Sequence, residues 1–120
     1  MGFKLGREKR GIKSSENIPV LRKSLNKGIL GEANNDGTVF ISKKLKPGSA
    51  LERKTIKHET QHVKDMQSGV LGYGDDWVRY KGKTYPRKDG KIKYNGKWHE
   101  EGSMAFPWEK RAKKAEKYGI

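Results

Sequence analysis

Residues 49–69, SALERKTIKHETQHVKDMQSG, decide the fold of this chain because they predict one long helix with a marked beginning and end. Ser49 and Glu52 have the S-x-x-E spacing of a capping box, which favours a helix that begins at the next residue. Apolar residues then recur at helical spacing, and Ser68-Gly69 is typical of a helix end. The sequence therefore predicts a helix over about residues 50–67.

This helix contains His58-Glu59-Thr60-Gln61-His62, which uses two of the chain's three histidines. Side chains at positions i and i+4 emerge on the same helix face, so both imidazoles can converge on one metal ion while Glu59 stands beside them. The H-E-x-x-H pattern is typical of zinc hydrolases. Two ordinary histidines at the border of an amphipathic helix are the alternative interpretation.

A catalytic zinc ion needs a third protein ligand and an open position for water. Because the chain has no cysteine, that ligand must be a histidine or a carboxylate. We predict Glu109, in the first turn of a second helix, with Ala112 small enough to let the two helices approach. A glutamate at a helix start also complements the macrodipole, so this interpretation stays open, as does His99 as the ligand. The other candidates are Asp65, Asp75, Asp76, Glu100, Glu101 and Glu116.

Three further roles around the metal are predicted. Asp65 follows His62 by about one turn, so it could accept a hydrogen bond from a ligand imidazole and fix its tautomer, or simply face solvent. An oxyanion that forms during peptide hydrolysis benefits from a hydrogen-bond donor. Tyr73, His99 and Arg111 are candidates for this oxyanion or substrate contact, although tyrosines pack in the core more often.

The remaining patterns predict a small α+β domain. Residues 29–33 and 38–42 flank Asn34-Asn35-Asp36-Gly37, which is a signal for an antiparallel hairpin. Residues 69–102 alternate around several glycine turns and predict a small, irregular β-meander. Pro107 suits the first position of a second helix that ends near Tyr118.

Composition and charge set the limits. With 120 residues and 32% apolar residues, the chain predicts one domain over residues 18–120, preceded by a flexible basic tail over residues 1–17. The net charge of +14 predicts contact with a polyanion such as nucleic acid, or a basic solvated surface. We find no membrane span and no signal for classical secretion in the sequence.

A helix with H-E-x-x-H followed downstream by a glutamate on another helix resembles the gluzincin class of metallopeptidases, and the short chain resembles its compact minigluzincin relatives. Residues 31–38, 58–62 and 106–109 are also similar to small phage-encoded metallopeptidases, and the likeness covers roughly residues 18–112. The glutamate helix reads W-E-K-R-A, where the best-studied gluzincins have N-E-x-x-S-D.

The resemblance implies a zincin-like domain in which His58, His62 and Glu109 bind Zn²⁺ and Glu59 is the general base. It implies that strand 38–42 forms a rim along which an extended protein or peptide substrate lies. For a phage-encoded protein it implies the host cytoplasm or the virion as location.

Two functions follow from these observations. The first is a zinc-dependent endopeptidase. The second is a non-catalytic basic module that binds nucleic acid or belongs to the virion, with a structural or relict metal site. The substitution Glu59→Gln discriminates between them, because only the enzyme would lose activity.

Overall fold

The computed structural model describes residues 2–5 and 18–118, which form an α+β domain as the sequence predicts. The elements in chain order are β1 (Gly2–Leu5), β2 (Val20–Lys23), β3 (Ile29–Ala33), β4 (Val39–Ser42), α1 (Ala50–Gln67), β5 (Leu71–Tyr73), β6 (Trp77–Tyr80), β7 (Lys83–Lys88), β8 (Lys91–Tyr94), β9 (Lys97–Glu100) and α2 (Pro107–Tyr118). Over the described ranges, neither helix combines the length and apolar character that crossing a membrane requires.

The first sheet is mixed, with the strand order β1-β3-β4-β2. β3 and β4 form the predicted antiparallel hairpin. Its turn is held by Asp36, whose side chain accepts hydrogen bonds from the Thr38 backbone at 3.0 Å and from the Thr38 hydroxyl at 2.6 Å. Gly37 has a φ of 87°, a conformation that glycine adopts without strain. Local turn chemistry therefore explains this hairpin.

Two expectations about this sheet are wrong. The strand expected as an open substrate rim is β4, but β4 pairs with β3 on one side and β2 on the other, and all four of its residues are buried. The exposed strand next to it is β2. Residues 2–5, expected within a tail, form β1 and pair with β3. The rest of the expected tail, residue 1 and residues 6–17, lies outside the described residues.

Helix α1 has the predicted bounds. Ser49 accepts a hydrogen bond from the Glu52 backbone at 3.1 Å, while the Glu52 carboxylate accepts one from Gly48 at 2.9 Å. The buried face of α1 is mostly polar: it consists of Thr55, His58, Glu59, Thr60, His62, Val63 and Asp65. A core helix normally buries apolar residues, so this face indicates a functional site.

The second sheet is the predicted meander, with the order β5-β6-β7-β8-β9. Its inner face packs against the chain that leads into α2. This cluster contains Leu71, Tyr73, Val78, Tyr80, Ile92, Phe106 and Trp108. A smaller cluster under the first sheet contains Ala33, Val39, Ile41, Leu45 and Val63, and Met66 of α1 packs against both clusters. Helix α1 therefore joins the two halves of the domain.

The start of α2 is anchored by aromatic packing. Trp108 is fully buried, and its ring stacks on Phe106 with 4.7 Å between ring centroids. Ala112, one turn further, is also fully buried, as expected where the two helices approach. This packing directs Glu109 towards α1.

Candidate metal centre

His58 and His62 of α1 and Glu109 of α2 meet at one buried point. The Glu109 Oε1 atom lies 2.7 Å from His58 Nε2 and 3.1 Å from His62 Nε2. One ligand atom from each residue lies within 4.8 Å of the others, and this is the one such group found among residues 2–5 and 18–118. The structure thus brings together the three residues that the sequence predicts as metal ligands.

The tautomer of His58 suits a metal ligand. Its Nδ1 atom lies 2.7 Å from Glu116 Oε2, and an ionised carboxylate only accepts hydrogen bonds. The other ring nitrogen, Nε2, faces Glu109; if a metal ion bound there, the ring proton would be on Nδ1, where Glu116 accepts it, and the Nε2 lone pair would be free for the metal. A ligand histidine in proteins typically donates its other N–H to a carboxylate in this way. Two imidazoles and one carboxylate are also a donor set that zinc accepts.

Carboxylates make the centre attractive to a cation. Burial by itself would lower the pKa of His62. The charge of Glu109 and the hydrogen bond between Glu109 and His62 have the opposite effect, and the charges of Glu59 and Asp65 add to it, so the pKa rises to about 9. Burial raises the pKa of Glu109, but His62 and His58 together lower it to about 2. Without a metal, His62 and Glu109 therefore form a buried ion pair. A divalent cation would supply the positive charge in its place.

Glu59 lies in a close contact between α1 and β3. It is fully buried, and neither of its carboxylate oxygens has a hydrogen-bond partner in the described part of the chain. Gly31 faces it so closely that a Cβ atom there would lie 2.8 Å from Glu59 Cγ and 2.9 Å from Glu59 Oε2. Burial raises the pKa of Glu59 well above its ordinary value. The charge of His62 opposes this rise, and the charge of Glu109 adds to it.

The role of Glu116 was not recognised in the sequence, where it was only one of several carboxylates. It lies two helical turns after Glu109, and residues seven apart fall on the same helix face. That spacing is the signal that could have identified it. In the structure Glu116 holds the outer nitrogen of His58 while Glu109 faces the inner one.

Asp65 was expected to accept a hydrogen bond from a ligand imidazole, and its hydrogen bonds in the described residues go elsewhere. Its carboxylate accepts from Arg111 Nε at 3.0 and 3.1 Å and from Gln61 at 3.0 Å. The reason is that α2 brings a guanidinium to this part of α1. Arg111 is half exposed, and its expected contact with substrate stays a prediction.

Tyr73 and His99 make contacts that hold the fold together. The Tyr73 hydroxyl donates to the Ala33 carbonyl at 3.3 Å and accepts from the Asn35 backbone at 3.1 Å, which ties the meander to the first hairpin. Burial raises the pKa of this hydroxyl. His99 lies on β9, packs edge-on against Phe106, and is not a member of the metal group. Neither contact places these side chains at the metal group.

The remaining carboxylate candidates are also accounted for. Asp75, Asp76 and Glu100 are exposed, while the half-buried Glu101 forms an ion pair with the buried Arg87 at 3.0 Å. Comparison of the chain with protein-family models, curated proteins and solved structures gives no match.

Proposed function

We propose that this protein is a zinc-dependent metallopeptidase in which His58, His62 and Glu109 hold the ion and Glu59 is the general base. The observation that supports it is the convergence of two imidazoles and a carboxylate beside a buried glutamate that has no hydrogen-bond partner in the described residues. An unpaired buried carboxylate is costly for stability, and such groups concentrate at functional sites.

A zinc ion in this centre would supply a Lewis acid and a water molecule whose pKa is lowered to about 7. Glu59 would take up a proton from the water molecule that attacks the scissile carbonyl carbon. Glu59 would then transfer the same proton to the leaving nitrogen, so that water and one peptide bond become one carboxylic acid and one amine. In the metal-free protein, burial raises the pKa of Glu59 and so favours its protonated form, which is the form that the second step needs.

Other residues of the chain prepare the site for this reaction. Glu116 keeps the proton of His58 on Nδ1 and fixes the plane of the ring. The ion pair between Asp65 and Arg111 fastens α2 to α1, and so maintains the distance between the histidines and Glu109. This contact between the helices matters because the two histidines are on α1 and Glu109 is on α2.

Access to the site requires movement. The three ligands and Glu59 each expose 3% of their surface or less. A peptide can therefore reach Glu59 only when the residues that cover the site move. We expect this opening of the site to limit the turnover rate. A buried site excludes bulk water, which strengthens the electrostatic contacts inside it.

Metal content tests the ligand assignment. We expect purified protein to take up one equivalent of zinc by mass spectrometry of the intact complex, and Glu109→Ala to lose it. Lys110→Ala, which removes an exposed side chain next to Glu109 on the same helix, is the matched control and should keep the metal. If Glu109→Ala binds zinc as tightly as the unchanged protein, the ligand assignment is wrong.

Hydrolysis tests the role of Glu59. The substitution Glu59→Gln keeps the size of the side chain and removes its basicity, so we expect the loss of casein hydrolysis with unchanged zinc content. Activity that persists in Glu59→Gln would exclude Glu59 as the base.

The burial of the site also favours a second candidate, a non-catalytic basic module in which the metal is structural. Structural zinc sites are closed, with no position open to solvent, and the ligands here are all buried. In such a protein zinc removal would lower the unfolding temperature, and no peptide would be hydrolysed by the zinc-loaded protein. The assays on Glu59→Gln and on the unchanged protein distinguish the two candidates.

A further inference from the structure

The outward face of the meander carries cations and tryptophan rings. Ile92 is buried, so its neighbours Lys91 and Lys93 point away from the core. The strand register places Lys88 opposite Lys91 and Trp98 opposite Lys93 on the same side.

On β6, the buried Val78 turns its two neighbours to this side as well. We define the outward face by Trp77, Arg79, Lys88, Lys91, Lys93, Trp98 and Glu100, so that it carries four cations and one carboxylate.

The cations of the outward face are not held in ion pairs, although Glu100 of β9 lies opposite Lys91 on the same side. Arg79, Lys88, Lys91 and Lys93 are exposed, and none of them forms an ion pair with a carboxylate of the described residues. Lys88 lies directly opposite Lys91, and like charges at this position of an antiparallel pair repel each other. A bound anion would relieve that repulsion.

The tryptophans of the outward face offer flat surfaces between these cations. Trp98 is 45% exposed, although tryptophan is usually largely buried. The Arg79 guanidinium lies over the Trp77 ring, 5.5 Å from its centroid. A sheet surface that combines exposed rings with cations is how several proteins bind single-stranded nucleic acid, because every base presents a flat face to stack on.

We propose that the outward face of the meander binds single-stranded nucleic acid. Lys88, Lys91 and Lys93 contact phosphates, and Trp98 stacks on a base. A duplex fits less well because its bases are already stacked on each other and their faces are hidden. No residue of the metal centre lies on this face, so the proposal stands or falls independently of peptidase activity.

Salt dependence tests the phosphate contacts. The probe is a fluorescein-labelled, mixed-sequence single strand of about 20 nucleotides, longer than the roughly 4–16 nucleotides that one binding domain covers. Binding is measured by anisotropy at several KCl concentrations. The triple variant K88A/K91A/K93A should lower the slope of log affinity against log salt by about 2, since each lost contact with a single strand contributes about 0.7.

The matched control is K43A/K44A/K46A, which removes three exposed lysines that follow β4 and lowers the net charge equally. The control should retain most of the affinity and slope. Equal losses in the two triple variants would show that net charge alone attracts the strand, and this result would overturn the proposal. Far-UV circular dichroism checks that both variants are folded.

Base stacking is tested at Trp98, whose exposure makes substitution tolerable for the fold. Trp98→Ala should weaken binding at least about fivefold, the change expected from losing about 1 kcal/mol of stacking, while Trp98→Phe should lose less. No effect of Trp98→Ala, equally tight binding of a duplex of the same sequence, or equally tight binding of phosphatidylserine vesicles would each overturn the proposal.

Discussion

The metal-free protein is expected to lose stability as the pH rises from about 6 to 9, because its centre then depends on the ion pair between His62 and Glu109. The pKa of His62 rises from 6.5 to about 9 on folding. Its contribution to stability is therefore fully present below pH 6.5 and lost as the pH rises through 9. Glu109 has a folded pKa of about 2, below its ordinary value of 4.5, so its contribution is present above pH 4.5 and lost as the pH falls through 2.

The size of the effect follows from the His62 values. A rise of about 2.5 pKa units corresponds to about 3 kcal/mol at 1.36 kcal/mol per unit, counted once for the pair. For a domain of this size, that loss lowers the unfolding temperature by roughly 10 °C or more. Glu59 also lowers the stability as the pH rises. Folding raises its pKa, so above its ordinary pKa of 4.5 the unfolded chain ionises this side chain more easily than the folded protein does.

The assay is thermal unfolding by circular dichroism in a chelator, at intervals from about pH 5 to pH 9. Zinc should reverse the trend, since ligand imidazoles must be deprotonated and zinc therefore binds more tightly as the pH rises. The control Glu109→Gln removes the charge that raises the pKa of His62, so its stability should change much less over this range. An unfolding temperature of the metal-free protein that is constant between about pH 6 and 9 would refute the reasoning.

Two substitutions near the site give further predictions. Gly31→Ala should destabilise the protein by about 1–3 kcal/mol in urea unfolding, because its Cβ atom would overlap Glu59; Gly72→Ala is the control, since the nearest atom there lies 3.6 Å away. If the two alanine variants unfold at the same urea concentration, the contact with Glu59 is not tight. Glu116→Gln should weaken zinc binding about 10- to 100-fold in competition with a chromophoric chelator, because the amide holds the His58 proton less firmly. An unchanged zinc affinity would show that Glu116 does not tune His58.

Local sequence determines the elements that frame the site. The bounds of α1 follow from Ser49 and Gly69, the first hairpin from Asp36 and Gly37, and the start of α2 from Pro107. Each signal acts through hydrogen bonds or backbone angles within about four residues, so no distant contact can easily override it. The spacing of His58 and His62 is local in the same sense, because one helical turn sets it.

Tertiary packing decided the partners of these elements. Glu109 rather than His99 reaches the histidines because Phe106 and Trp108 fix the angle at which α2 meets α1. Glu116 rather than Asp65 binds an imidazole, and β2 rather than β4 is the exposed strand of the first sheet. His58 and Glu116 are 58 residues apart in the chain. A contact over such a separation depends on how whole elements pack, and neither the residue types nor their local spacing contains that information.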